Sequence, residues 1–163
     1  MPIPHARRMN LIALALLVTA LIAFVAFHFL VITVVTDPGS SRSEELGWRI
    51  WPELLEFLKD ADFNDAEGMI AVSAFLTYCL LVIASPFIIP ILRMSRLGWW
   101  ITVIASGLAM CGFGGMILLS EDDPAYSVPG PGTYCILASL ALNFLGLLFI
   151  RREIPAAPEV DSA

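Results

Sequence analysis

Residues 11–35 read LIALALLVTALIAFVAFHFLVITVV, with no Asp, Glu, Lys or Arg among them. A membrane-spanning helix needs about 20 predominantly apolar residues, whereas the apolar core of a signal peptide runs to about 7–15. Arg7 and Arg8 precede the run as they would in a signal peptide, but its length predicts a retained span. Asp37-Pro38-Gly39 then closes it, since Pro and Gly together favour a turn.

Three further runs, 69–92, 97–119 and 133–150, are equally free of those charges. The 163 residues are 58% hydrophobic and 15% charged, and the mean hydropathy is +0.83. A soluble domain is about 45–50% apolar and about 25% charged. One small core cannot hide the excess, because much of a small domain's surface stays exposed. The expectation is an all-α integral membrane protein, a four-transmembrane-helix bundle with a short interfacial amphipathic helix in its first outer loop.

Arginine sets the orientation, because basic residues near span ends favour the cytoplasmic side. Arg7, Arg8, Arg93, Arg96, Arg151 and Arg152 lie tight against helix ends on one side. Arg42, Arg49 and Lys59 lie on the other, in a loop that also holds nine acids. With Glu121, Asp122 and Asp123 of the second loop, that side carries twelve of the chain's fifteen acids, so the net charge of −6 is sorted by region. The expected order is a cytoplasmic N-terminus (1–10), a first span (11–35) and an extracytoplasmic loop (36–68) with its amphipathic helix at about 48–60. A second span (69–92), a cytoplasmic turn (93–96), a third span (97–119), an outer loop (120–132) and a fourth span (133–150) follow. A disordered cytoplasmic tail (151–163) ends the chain. The expected location is a cell membrane, with a bacterial inner membrane the first candidate.

Pro86 and Pro90 fall in the last third of the second span and predict a kink or an early end, with Ser85 placed to satisfy a freed carbonyl. Trp99 and Trp100 follow the cytoplasmic turn at headgroup level, and Trp48 and Trp51 anchor the outer helix. In that helix Trp48, Trp51, Leu54, Leu55 and Leu58 recur at helical spacing, and Pro52 fits a first turn. It should lie on the outer leaflet or cap the bundle. Asp60, Asp62 and Asn64 resemble the first half of a calcium loop, but Asp65 stands where glycine is needed and Ala71 where a glutamate is needed. These residues read instead as an acidic cap on the second span.

Transport and proton relay usually require ionisable groups inside the membrane. The runs hold no Asp, Glu, Lys or Arg, and the polar candidates within them are His28, Tyr78 and Asn143. A haem with two protein ligands would need a second histidine at matching depth, and the other one is His5. Cys79, Cys111 and Cys135 all lie in apolar runs, which argues against outward disulfide chemistry. No cofactor, metal set or catalytic group is expected. The acidic balance and the lack of a basic patch argue against a nucleic-acid partner. His28 is the one functional candidate, expected to bond Asn143, Ser139 or the loop.

Gly107, Cys111 and Gly115 recur every four residues in the third span, and Cys135, Ser139 and Asn143 in the fourth. Small residues at that spacing let helix backbones approach closely, so these stripes should face the interior, each other or a partner helix. Ser73 and Thr77 form a weaker stripe of the same kind. The layout of four helices, inner termini and a large first outer loop resembles that of claudin-like tetraspan proteins. The loop lacks their paired cysteines, so the likeness is one of topology alone.

These features favour a non-enzymatic accessory or scaffold subunit of a membrane complex, whose partners are the lipid bilayer and other membrane proteins or further copies of itself. A component of an oligomeric transporter or channel is the second expectation, and a lipid-modifying enzyme using His28 is the third.

Overall fold

The computed structural model describes residues 5–35, 43–59, 66–119 and 127–151. The expected acidic cap at 60–65, most of the second outer loop and the tail beyond Arg151 lie outside the described residues. Four long helices, α1 (His5–Phe27), α3 (Ala66–Met94), α4 (Arg96–Leu119) and α5 (Pro131–Phe149), pack side by side. The most extensive seam joins α1 to α5; α5 also packs on α4, α4 on α3, and α3 on α1. α1, α3 and α5 are long and apolar enough to cross a membrane, which fits a membrane location.

Each long helix divides its apolar residues between two faces. In α1 the buried set Ala13, Leu17, Ala20, Phe24 and Phe27 advances by alternating steps of four and three. That spacing keeps one stripe on a neighbouring helix. Leu11, Leu14, Val18, Ile22 and Val25 face outward. Ile83, Phe87 and Ile91 do the same on α3, as do Ile101, Ile104 and Leu108 on α4. So wide an exposed apolar surface suits lipid rather than water.

The chain is not all-α. The final five residues of the first apolar run form strand β1 (Val31–Val35). α1 ends at Phe27, eight residues before the expected end of the first span. The cause is the run of β-branched residues Val31-Ile32-Thr33-Val34-Val35, which favours extended backbone. β1 is the central strand of a three-stranded sheet, flanked by β2 (Ser43–Leu46) and β3 (Ser127–Pro129), both antiparallel to it. The sheet therefore joins the two loops expected to lie outside. A bulge between Val31 and Thr33 breaks the β1–β2 register at Ile32.

A 3-10 turn at Gly47–Arg49 leads into α2 (Ile50–Lys59), within the expected amphipathic segment. Neither proline ends α3, which runs unbroken through Pro86 and Pro90. Ser85 Oγ donates to the Leu81 carbonyl, not to the Val82 carbonyl whose regular partner would be the missing N–H of Pro86. Between α3 and α4 only Ser95 is non-helical; its Oγ accepts from the Gly98 amide at 3.0 Å.

Candidate functional site

His28 lies outside the helix, in the turn between α1 and β1. Its Nδ1 sits 2.9 Å from the Phe24 carbonyl, so that nitrogen carries the proton. Its ring stacks on Trp51 of α2, with centroids 5.9 Å apart and planes within 8°. Phe24 meets it edge-on at 5.1 Å. The set continues through Phe24 to Tyr78, and through Trp51 to Phe75. Ile50, Trp51 and Leu54 thereby rest on the core cluster of Phe24, Phe27, Phe75 and Tyr78, so α2 covers this end of α1 and α3. Trp48, Leu55 and Leu58, on the other flank of its apolar stripe, remain exposed.

Backbone bonds fasten the same region. The Trp48 amide donates to the His28 carbonyl at 3.1 Å, and the Gly47 amide to that of Leu30 at 3.0 Å. The Ile32 carbonyl accepts twice, from the Gly130 amide and from Thr133 Oγ1, each at 2.7 Å. The bulge residue is thus where the sheet is tied to the start of α5. His28→Ala should cost about 1 kcal/mol of stability and red-shift Trp51 fluorescence, because it strips the stacked face of the indole. His28→Phe should keep the emission near that of the parent; a red shift as large as that of His28→Ala would disprove the stack.

Of the expected partners of His28, the loop supplies Trp51, while Ser139 and Asn143 are engaged elsewhere. Ser139 Oγ donates to the Ala20 carbonyl at 2.8 Å, joining α5 to α1. The Tyr78 hydroxyl lies against Ser139 from α3. Asn143 Nδ2 donates to Ser106 Oγ at 3.2 Å, joining α5 to α4. Asn143 Oδ1 is buried and has no hydrogen-bond partner among the described residues. Ser106→Ala alone should lower stability by about 1 kcal/mol, since it also orphans the amide nitrogen. Adding Asn143→Leu removes both polar groups and should restore the loss. Thermal unfolding in a mild detergent reads both, and a double variant weaker than Ser106→Ala would refute the pairing.

The α4 stripe is divided rather than interior. Gly107 packs towards Phe144, a Cβ there lying 3.3 Å from its ring. Cys111 is exposed, and the space beside Gly115 is open. α4 turns Thr102, Val103, Ser106 and Ala109 inward instead. On α5 the stripe is interior: Ser139 and Asn143 are buried and Cys135 is half-buried. Beside the outward face of α4, an open groove of about 390 Å³ runs between α3 and α4, lined by Ser73, Ala74, Thr77, Ala105, Ala109 and Gly112 among others.

At the opposite end from the sheet, Trp99 Nε1 donates to the Leu147 carbonyl at 2.9 Å, and Trp99 meets Trp100 edge-on at 4.7 Å. The Arg151 amide donates to Asn10 Oδ1 at 2.9 Å, tying the end of α5 to the start of α1. Among the described residues no three His, Cys, Asp or Glu side chains gather into a group that could hold a metal. No protein family, curated protein or solved structure matches the chain.

Two of the pairings fall on residues whose composition marks them only as interfacial anchors. Trp51 is the stacking partner of His28. Trp99 donates a hydrogen bond across to α5. Ser106, the partner of Asn143, is a lone serine in an apolar run and carries no spacing signal.

Proposed function

We propose that the protein crosses a cell membrane four times and serves as a non-enzymatic accessory or scaffold subunit of a membrane complex. α1, α3, α4 and α5 are the four passes, both termini are cytoplasmic, and the sheet and α2 lie outside. Support for the orientation comes from the arginines at one end of the helices and the acids at the other. A bacterial inner membrane is the expected location.

One observation carries the scaffold role: the two outer loops form a single braced platform. β1 pairs with strands from both loops, and α2 is held on the bundle by the Trp51 contacts. The platform presents Trp48, Leu55 and Leu58 beside Glu53 and Glu56, all exposed. A fixed surface with an apolar centre and acidic margins is suited to holding a partner, because little ordering entropy is lost on docking. Affinity purification in a mild detergent should recover a stoichiometric membrane partner, and Leu55→Glu with Leu58→Glu should release it. Recovery of a lone monomer would overturn the proposal.

A component of an oligomeric transporter or channel is the second reading. It draws on the hydroxyls of Ser73 and Thr77 in the α3–α4 groove, which neither proline lines. Solute flux in proteoliposomes that Thr77→Val abolishes would favour it over the scaffold.

A further inference from the structure

The helix end opposite the sheet gathers basic side chains from all four long helices. Leu92, Ala13 and Ile150 are buried together in the core cluster at this end. Arg93 follows Leu92 and Arg151 follows Ile150, so both flank that cluster. Arg96 opens α4 across the single non-helical residue Ser95. Arg8 lies in the second turn of α1, two residues before the Asn10 that binds the Arg151 amide. Each long helix, or the residue just after it, thus supplies at least one arginine to this end. Arg8, Arg96 and Arg151 are exposed and Arg93 is half-buried. Residues 5–13, 89–103 and 147–151 contain no Asp or Glu.

We infer that this end binds anionic phospholipid headgroups of the cytoplasmic leaflet, with Arg8, Arg93, Arg96 and Arg151 as the phosphate ligands. The inference rests on the four-pass reading above. Guanidinium is suited to the task, since its planar fork matches two phosphate oxygens at once and it never loses its charge. Trp99 sets the depth. Its indole is fixed by the bond to the Leu147 carbonyl, and tryptophan marks headgroup level. Arg96 lies three residues before Trp99 and Arg151 four after Leu147, so both are placed near the phosphate layer rather than in the hydrocarbon. Basic sites between transmembrane helices on the cytoplasmic side recognise anionic headgroups for this reason.

The test uses the full chain extracted from membranes of equal phosphatidylglycerol and phosphatidylcholine content, with retained lipid counted by native mass spectrometry. Retention should favour phosphatidylglycerol. Arg93→Gln with Arg96→Gln, and separately Arg8→Gln with Arg151→Gln, should each weaken that preference. The expected loss is about fivefold for each arginine removed, corresponding to about 1 kcal/mol near an anionic surface. Arg49→Gln, at the sheet end, should leave it unchanged. Inorganic phosphate at matched ionic strength should not displace the lipid.

Equal retention of the two lipids by the parent chain overturns the inference. So does a preference that both paired variants keep, one that inorganic phosphate abolishes, or one that appears only after residues 153–163, with their own acids, are deleted. Labelling of Ser95→Cys with a membrane-impermeant maleimide separates this failure from failure of the four-pass reading. Labelling from outside the cell refutes the orientation, whereas the lipid count is read in detergent without reference to it.

Discussion

Gly130→Val is expected to lower the unfolding free energy by at least about 3 kcal/mol and to release β1 from its neighbours. A Cβ at residue 130 would fall on the Val31 carbonyl oxygen. No flexible side chain can give way there, because the obstacle is the backbone of the central strand, held by β2 on one side and β3 on the other. The φ of Gly130 is −85°, which any residue adopts, so close approach is the reason for glycine. Moving the strand away would break both bonds to the Ile32 carbonyl.

Gly47→Val should behave alike, since a Cβ there meets the Phe27 carbonyl and comes within 2.6 Å of the Phe27 ring. Gly115→Ala is the control. Among the described residues nothing lies within 4 Å of a Cβ at that position, and alanine suits a helix better by about 0.5–1 kcal/mol. Thermal unfolding in detergent, together with amide hydrogen exchange at Val31–Val35, distinguishes them. Sheet protection in Gly130→Val as high as in Gly115→Ala would sink the account.

Apolar length was enough to locate the long helices, because a helix in lipid satisfies its own backbone and needs little beyond composition. The same simplicity hid β1. Val31 to Val35 is as apolar as the residues before it, and only its β-branching marks a strand. Its partner β3 lies about a hundred residues away in a segment too short to show alternation. Spacing also left open which way the α4 stripe points. A four-residue repeat of small residues says that a face is smooth, not which way it points. Ser106 and Ala109 face inward while Cys111 is exposed. On α5 the same type of repeat lay on the buried face, because Ser139 and Asn143 are polar and find acceptors on α1 and α4. His28 was located in a helix because its neighbours are apolar. The turn that places its ring on Trp51 depends on β1, which composition did not reveal.

The α1–α5 seam is the most extensive between the long helices, and Leu17 packs closely on Gly146 within it. A Cβ at 146 would lie 2.7 Å from Leu17 Cγ and Cδ2, and 3.3 Å from the Ala13 carbonyl. Leu17 is fully buried. Gly146→Leu should therefore cost about 2–3 kcal/mol by overpacking, and Leu17→Ala about 3 kcal/mol by leaving a cavity. The two changes are complementary in volume, so the leucine at 146 should occupy space vacated at 17. The double variant should be more stable than the sum of the losses implies, by at least about 1 kcal/mol. Purely additive losses would mean that the two side chains do not meet. If the seam opens, the bond from Ser139 to the Ala20 carbonyl and that from the Arg151 amide to Asn10 open with it. The first braces α5 on α1 nearer the sheet, and the second fixes Arg151 beside α1 at the arginine end. Gly146→Leu should thus weaken partner recovery and phosphatidylglycerol retention together, with Leu17→Ala restoring both, whereas Leu55→Glu with Leu58→Glu should affect partner recovery alone.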